Sequence, residues 1–210
     1  TALNAGQVGA VRAADYIAHL AEETKITDEM KADSITQAKA CIELYHQCCG
    51  TEKLSDIWKR ASARMSQYAG MIRNESDLKK GLLETEEELE NLTLNAKKPV
   101  SGEFSLFYHL RDMLISQMVY QYAMIDYIRH GGQSRGSALY TDDTGTMPEG
   151  ELPEIFTCKL DRGLHGNEVQ EIILKDGHCS SKWREVRAIP ESDNFFENQW
   201  RKYREKYHIQ

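Results

Sequence analysis

The sequence predicts a mainly α protein: an antiparallel helical bundle built on a long central helix, followed by a small antiparallel β segment and a terminal helix. Three observations carry this. The stretch from Phe104 to His130 is free of charge between Met113 and Ile125, and Phe107, Leu110, Leu114, Met118, Tyr122 and Ile125 recur at helical spacing. Tyr108, Ile115, Val119, Tyr120, Met124 and Tyr127 cover most of the remaining circumference, so burial nearly all round is expected. Four more segments with helical periodicity precede this stretch. Beyond Gly136 the composition changes to turn residues and short β-type runs.

Taken in order, residues 5–23 read as a helix with Val8, Val11, Ala14, Tyr16, Ile17 and Leu20 on its apolar side. Gly6 and Gly9 leave its first turns bare. Either backbone packs on backbone there, or an anion or cofactor oxygen sits at the helix N-terminus, where free N–H groups point outward. A second helix starts near Thr27, a capping residue followed by Asp28 and Glu29, which suit the positive end of the dipole. Its stripe runs through Ile35, Ala38, Cys41, Ile42, Tyr45 and Cys49 to Gly50. The third helix follows the template through Leu54, Ile57, Trp58, Ala61, Met65, Tyr68, Ala69 and Ile72, ending around Arg73. Asn74 caps a fourth, Glu75–Leu94, with Leu78, Leu82, Leu89 and Leu92 inward. The run Glu84, Glu86, Glu87, Glu88 and Glu90 reads as a solvated face. Lys97–Gly102 breaks the chain before the long helix.

Past Gly136, Tyr140–Pro153 reads as an exposed loop. Strands are expected at Ile155–Leu160, Val169–Leu174 and Trp183–Ile189, with Asp176-Gly177 as a hairpin turn, forming a three-stranded antiparallel sheet. Asn194-x-x-Glu197 resembles a capping box. It opens a last helix whose stripe, Phe196, Trp200, Tyr203 and Tyr207, docks onto the rest of the chain or onto a partner.

The 210 residues carry a net charge of −7 and no Lys/Arg-rich run, which argues against general nucleic-acid binding. Arg111, Asp112 and Asp126 interrupt the long helix, so no membrane span is expected. The first residues lack the charged start and apolar core of a signal peptide, and five cysteines form no even framework. Reduced thiols and a cytoplasmic location are the expectation.

No motif for phosphate cradling, dinucleotide binding or a serine nucleophile is found, so no catalytic residue is assigned. Cys41, His46, Cys48 and Cys49 are poorly spaced for a metal, because Cys48 and Cys49 would point about 100° apart on a helix. Asp126 and Arg129, three apart, read as an ion pair, and His130 as a helix-end interaction.

Two stretches carry a resemblance. Met65-x4-Gly70-x2-Arg73-Asn74-Glu75-x2-Leu78 is followed by a charged helix and then by a long apolar helix closed by Ser134-Arg135-Gly136. That order resembles the C-terminal helical region of the succinate dehydrogenase/fumarate reductase flavoprotein family, which includes L-aspartate oxidase and adenylylsulfate reductase. Leu3 to Ala14 looks like the last segment of that family's FAD-binding domain, where a turn and the following helix N-terminus approach the flavin. The resemblance implies Leu3, Asn4 and Ala5 as cofactor-binding positions. It also implies FAD in the full-length parent rather than in this chain alone, and the upstream FAD-binding domain of the same polypeptide as partner. Arg73 and Arg135 would hold helix ends or domain contacts.

The family often follows Ser-Arg-Gly with a small residue, a His and then an Arg. Ser137, Ala138, Leu139 and Tyr140 depart from this, pointing away from the quinone-linked subgroup and toward a divergent soluble flavoprotein. On this reading residues 1–23 end the FAD-binding domain, 24–136 form the bundle, 137–153 are a loop, and 154–210 hold the β segment and terminal helix. The start at Thr1 suggests a C-terminal portion of a larger enzyme. Two alternatives stay open: a stand-alone helical interaction module, and a metal or redox-thiol protein using Cys41, Cys48 and Cys49.

Overall fold

The computed structural model describes residues 2–23, 26–98, 100–136, 138–187 and 195–207. It is mainly helical, with a small antiparallel hairpin and a terminal helix. Contacts divide the chain into two compact units, residues 1–40 with 187–210, and Cys41–Val186. These boundaries differ from the four parts expected, because the two ends of the chain cluster together.

In the first unit, α1 (Ala2–Glu23) meets α7 (Phe195–Tyr207). Tyr16 lies 5.8 Å from Tyr203 between ring centroids, and the Arg12 guanidinium sits 5.3 Å from the Trp200 ring. The aromatic stripe of α7 therefore docks within the chain at Trp200 and Tyr203. The side chains of Phe196 and Tyr207, and the capping residue Asn194, lie outside the described residues. On α1, Val8, Val11 and Ile17 are exposed, Ile17 by 63%.

Helix α2 (Asp28–His46) begins as its cap predicts, with the Met30 amide donating to the Thr27 hydroxyl at 3.1 Å. Its stripe is not buried as expected: Ile35, Cys41 and Ile42 are exposed, and Tyr45 is the buried residue of the helix. Tyr45 is fixed at both ends. Its hydroxyl donates to the Val100 carbonyl at 3.0 Å and accepts the Val100 amide at 3.1 Å, while its ring packs on Phe104 and Phe107.

The second unit is built on α3 (Leu54–Tyr68), α4 (Glu75–Glu90) and α6 (Phe104–Arg129). All three pack on one another. Helix α6, about 39 Å long at 1.5 Å per residue, buries Phe107, Leu110, Leu114, Met118 and Ile125. It is not buried all round. Tyr108, Ile115, Val119, Met124 and Tyr127 are half-buried and Tyr120 is exposed, because α3 and α4 cover one side only. Leu54, Ile57, Ala61, Leu92 and Ala96 join its first half in one cluster, and Ala69 and Leu78 join Ile125 in another. Gln117 and Gln121 lie buried between the two. The Gln117 amide donates to the Ala61 carbonyl at 3.1 Å.

Helix α3 stops at Tyr68 rather than near Arg73. Ile72-Arg73 leave it as a short strand, β1, parallel to Leu139-Tyr140 of β2 (Leu139–Thr146). Residues expected as loop thus become β2, which pairing with β1 recruits. Asn74 caps α4 as predicted, its side chain accepting the Asp77 amide at 2.8 Å. Helix α4 ends at Glu90, and Leu92–Asn95 form a separate turn, α5.

The acidic run is not wholly solvated. Glu86, Glu87 and Glu90 are exposed, but Glu88 is buried against Arg60 and Arg64 of α3, and Glu84 lies 3.4 Å from Arg64. Gly50, expected as a helix stop, instead pairs in parallel with Lys97. A Cβ there would run into the Asn95 carbonyl.

Of the three strands expected, two form. β3 (Glu168–Lys175) and β4 (His178–Glu185) make an antiparallel hairpin closed by Asp176 and Gly177, both at positive φ as a two-residue turn requires. Ile155–Leu160 is not a strand: Glu154–Phe156 is a 3-10 turn, and Cys158 and Leu160 make isolated bridges to Thr141 and Ser134. The strand expected at Trp183–Ile189 starts earlier, at His178, since the hairpin turn dictates immediate pairing. Residues 188–190 lie outside the described residues. No helix among the described residues is long and apolar enough to cross a membrane.

Candidate functional site

Three regions were singled out by sequence: the opening helix, the Arg73 and Ser134-Arg135-Gly136 motifs, and the end of the long helix. Leu3, Asn4 and Ala5 lie in the first turn of α1, which begins at Ala2, and Asn4 and Ala5 are exposed. A Cβ on Gly6 or Gly9 would meet nothing within 4 Å, so close backbone packing is not what these glycines serve here. The first turns present open backbone.

The two motif segments are brought together. Ile72 and Arg73 pair with Leu139 and Tyr140. Arg73 Nε donates to the Gly70 carbonyl at 2.6 Å, just beyond the end of α3, and its Nη1 donates to the Tyr140 hydroxyl at 3.1 Å. The Ser134 hydroxyl accepts the Tyr140 amide at 2.8 Å and donates to the Tyr140 carbonyl at 3.2 Å. Arg73 and Ser134 thus grip one residue from opposite ends. Arg135 Nη1 lies 3.8 Å from Asp161, whose carboxyl is held below its usual range by the Leu164 and Gly163 amides. Beside this joint is a cavity of ≈ 420 Å³, lined by Glu75, Gln133, Tyr140, Asp142 and Lys159 among others. Hydrogen bonds from Thr144 and Lys159 pull the Asp142 carboxyl down to about 2.

Helix α6 closes in a Schellman arrangement. His130 is the C-cap and Gly131 follows at φ 85°. The Gly132 amide reaches the Tyr127 carbonyl at 2.8 Å and the Gly131 amide the Ile128 carbonyl at 2.9 Å. Only glycine takes this φ without cost at Gly131.

Asp126 and Arg129 do not pair with each other. Arg129 goes to Glu75 at 2.8 Å, while Asp126 anchors the hairpin. Ser181 Oγ donates to its Oδ1 at 2.7 Å; Gln170 Nε2 and Trp183 Nε1 donate to its Oδ2 at 2.8 and 2.9 Å. Burial pushes the Asp126 carboxyl up, but these three bonds and the neighbouring His130 more than reverse that, and it titrates below the ordinary range.

The side chain of His130 turns to the hairpin rather than serving the helix end. Its ring stacks on Trp183, centroids 4.2 Å apart and planes 11° apart. His165, from the loop before β3, lies 4.9 Å from both His130 and Trp183 between ring centroids. Its Nδ1 is 2.8 Å from Glu168 Oε2, and His130 Nε2 is 3.7 Å from the same oxygen. A helix end, a loop and a strand start therefore converge on one carboxylate.

Sequence reasoning missed this cluster. Once Asp176-Gly177 is taken as a two-residue turn, Gln170 must face Trp183, and Ser181 shares the face of Trp183. That much was readable. The docking of this face on Asp126 was not, since nothing local to either segment names the other. Among the described residues, Cys41 and Cys49 are exposed and Cys48 is buried, and these thiols form no group of three metal ligands.

No protein-family model, curated protein or solved structure matches the chain.

Proposed function

We propose that this chain is the C-terminal helical portion of an FAD-dependent oxidoreductase of the fumarate reductase/succinate dehydrogenase type. It packs against the upstream flavin domain of the same polypeptide and supplies no catalytic residue. The observation that carries this reading is the joint at Tyr140. The two motif segments on which the resemblance rests lie some 60 residues apart in sequence, and their Arg73 and Ser134 close on the same residue. Their meeting supports reading the two segments as one structural region, while Tyr140 itself departs from the family pattern.

In this reading α3, α4 and α6 form a bundle with α6 at its centre, which holds the joint rigid. The exposed Val8, Val11 and Ile17 of α1 suit burial against another domain, and the open backbone at Leu3, Asn4 and Ala5 suits approach to a flavin edge. The parent reaction would be hydride transfer between flavin and a small acid in the cytoplasm. The isolated chain would be inactive. The same apolar residues on α1 also fit the second reading, a helical module that binds a partner protein.

Purification of the native polypeptide from source cells, with an antibody raised against this chain, separates the two. Stoichiometric FAD released on denaturation supports the flavoenzyme. A flavin-free polypeptide of about the size of this chain (24.0 kDa) supports the interaction module and removes the first reading.

A further inference from the structure

We propose that His130, His165 and Glu168 form a binding site for a divalent transition-metal ion of the zinc class. The proposal rests on the geometry of these residues and not on the flavoenzyme reading. One ligand atom from each residue lies within 4.8 Å of the other two. Two of the separations are 2.8 Å, His165 Nδ1 to Glu168 Oε2, and 3.7 Å, His130 Nε2 to the same oxygen. Tetrahedral zinc with bonds of about 2.0–2.2 Å holds its ligand atoms roughly 3.3–3.5 Å apart. These two separations bracket that value and the third is within 4.8 Å, so side-chain shifts of up to about 1.5 Å would close the set around an ion.

The ligands are held from three directions. Glu168 is fixed at the start of β3 by its pairing with Glu185. His130 is clamped by the Trp183 stack, and Trp183 is itself tied to Asp126. His165 is packed against Tyr127 and Trp183, with its Nε2 buried and without a hydrogen-bond partner. Nδ1 is the ring nitrogen turned to Glu168 and would be the metal ligand.

The surrounding charge also favours a cation. Asp126 interacts electrostatically with His130, and Asp161 with both His165 and Arg135, while the neighbouring Arg129 is engaged by Glu75. Two imidazoles and one carboxylate select zinc and its first-row neighbours over magnesium and calcium, which prefer all-oxygen sets. Three protein ligands leave a fourth position open. His130 is 41% exposed in its side chain, so that position can be reached by water or by a ligand from solution.

The test uses the full 210-residue chain, stripped with a chelator and titrated at neutral pH with Zn²⁺ by calorimetry and with Co²⁺ by visible absorption. The expected result is one equivalent bound, with the cobalt d–d bands of a nitrogen/oxygen tetrahedral site. His130→Ala and the near-isosteric Glu168→Gln should each weaken binding by at least about tenfold. His178→Ala, an exposed histidine at the hairpin turn, should change nothing. Unchanged melting temperature of the Glu168→Gln protein separates loss of a ligand from loss of fold. The proposal is overturned if the wild-type chain binds zinc no more tightly than the His130→Ala, His165→Ala double variant, or if Glu168→Gln binds as well as wild type while folded.

Discussion

Replacing Asp126 by alanine removes the acceptor of three donors at once. Ser181, Gln170 and Trp183 all donate to this carboxylate at 2.7–2.9 Å. Hydrogen bonds to a charged group contribute about 1.5–3 kcal/mol each, and burial of an orphaned donor adds to the loss. The three are not equal. The Gln170 amide keeps a second bond to the Ala123 carbonyl at 2.9 Å, and the Ser181 hydroxyl can rotate to water. Trp183 Nε1 is left with least recourse. Since Asp126 is half-buried and the Gln170 and Ser181 losses are partly made good, roughly 2–4 kcal/mol is expected for the set.

That energy holds the β3–β4 hairpin onto the end of α6, so its loss should appear as local opening rather than global unfolding. Hydrogen exchange read by mass spectrometry across 168–185 should speed up by about 30-fold to a thousandfold, while α3 and α4 keep their protection. Asp126→Asn retains one carbonyl acceptor for two of the donors and should lose only about 1–2 kcal/mol. Native exchange rates in the hairpin of the alanine variant would show that the hairpin is held by something other than this carboxylate.

Leu114 is fully buried on α6; Leu114→Ala should cost about 2–5 kcal/mol in denaturant unfolding, and Leu114→Asp should prevent cooperative folding, whereas an unchanged melting temperature would place Leu114 outside the core. Glu88→Ala should cost about 3–5 kcal/mol by removing the nearer partner of the buried Arg64 guanidinium and leaving it only Glu84 at 3.4 Å, and urea titration would reveal an exposed pair if the loss were only a few tenths. Gly50→Ala should destabilise the junction with Asn95 because its Cβ meets backbone rather than a movable side chain; calorimetry showing no loss would mean that the two segments are not in contact. Because the folded pKa of Asp126 is depressed, its anchoring is present above the ordinary carboxylate range and is lost only as pH falls through the lower folded value. Trp183 fluorescence in a Trp58→Phe, Trp200→Phe background should therefore change at acid pH in the wild type, and that transition should be absent in Asp126→Asn.

Helices were legible where side-chain periodicity and capping agreed. Asn74 and Thr27 cap as their sequence contexts imply, and Gly131 ends α6 in the left-handed conformation that its position after the apolar run predicts. The Asp176-Gly177 turn likewise dictated the register of the only hairpin among the described residues. The errors came where a distant partner decides. Leu139–Thr146 is rich in turn residues and becomes a strand because Ile72-Arg73 offers an edge to pair with. Glu88 looked solvated until Arg60 and Arg64 of the facing helix neutralised it. Spacing alone suggested an Asp126–Arg129 pair, but each found a stronger partner on another element, Asp126 on the hairpin and Arg129 at Glu75. The His130, His165 and Glu168 cluster was hidden for the same reason, since only docking of the hairpin brings His130 to the other two.

The flavin content of the native polypeptide bears most directly on the function proposed for this chain. The polypeptide would be captured from source cells through an antibody to this sequence, denatured, and assayed for released FAD by chromatography with fluorescence detection. A polypeptide well above 24.0 kDa with about one FAD per chain is the predicted result. A polypeptide of any size that releases no flavin after capture under native conditions would contradict the flavoenzyme reading and leave the helical interaction module in its place.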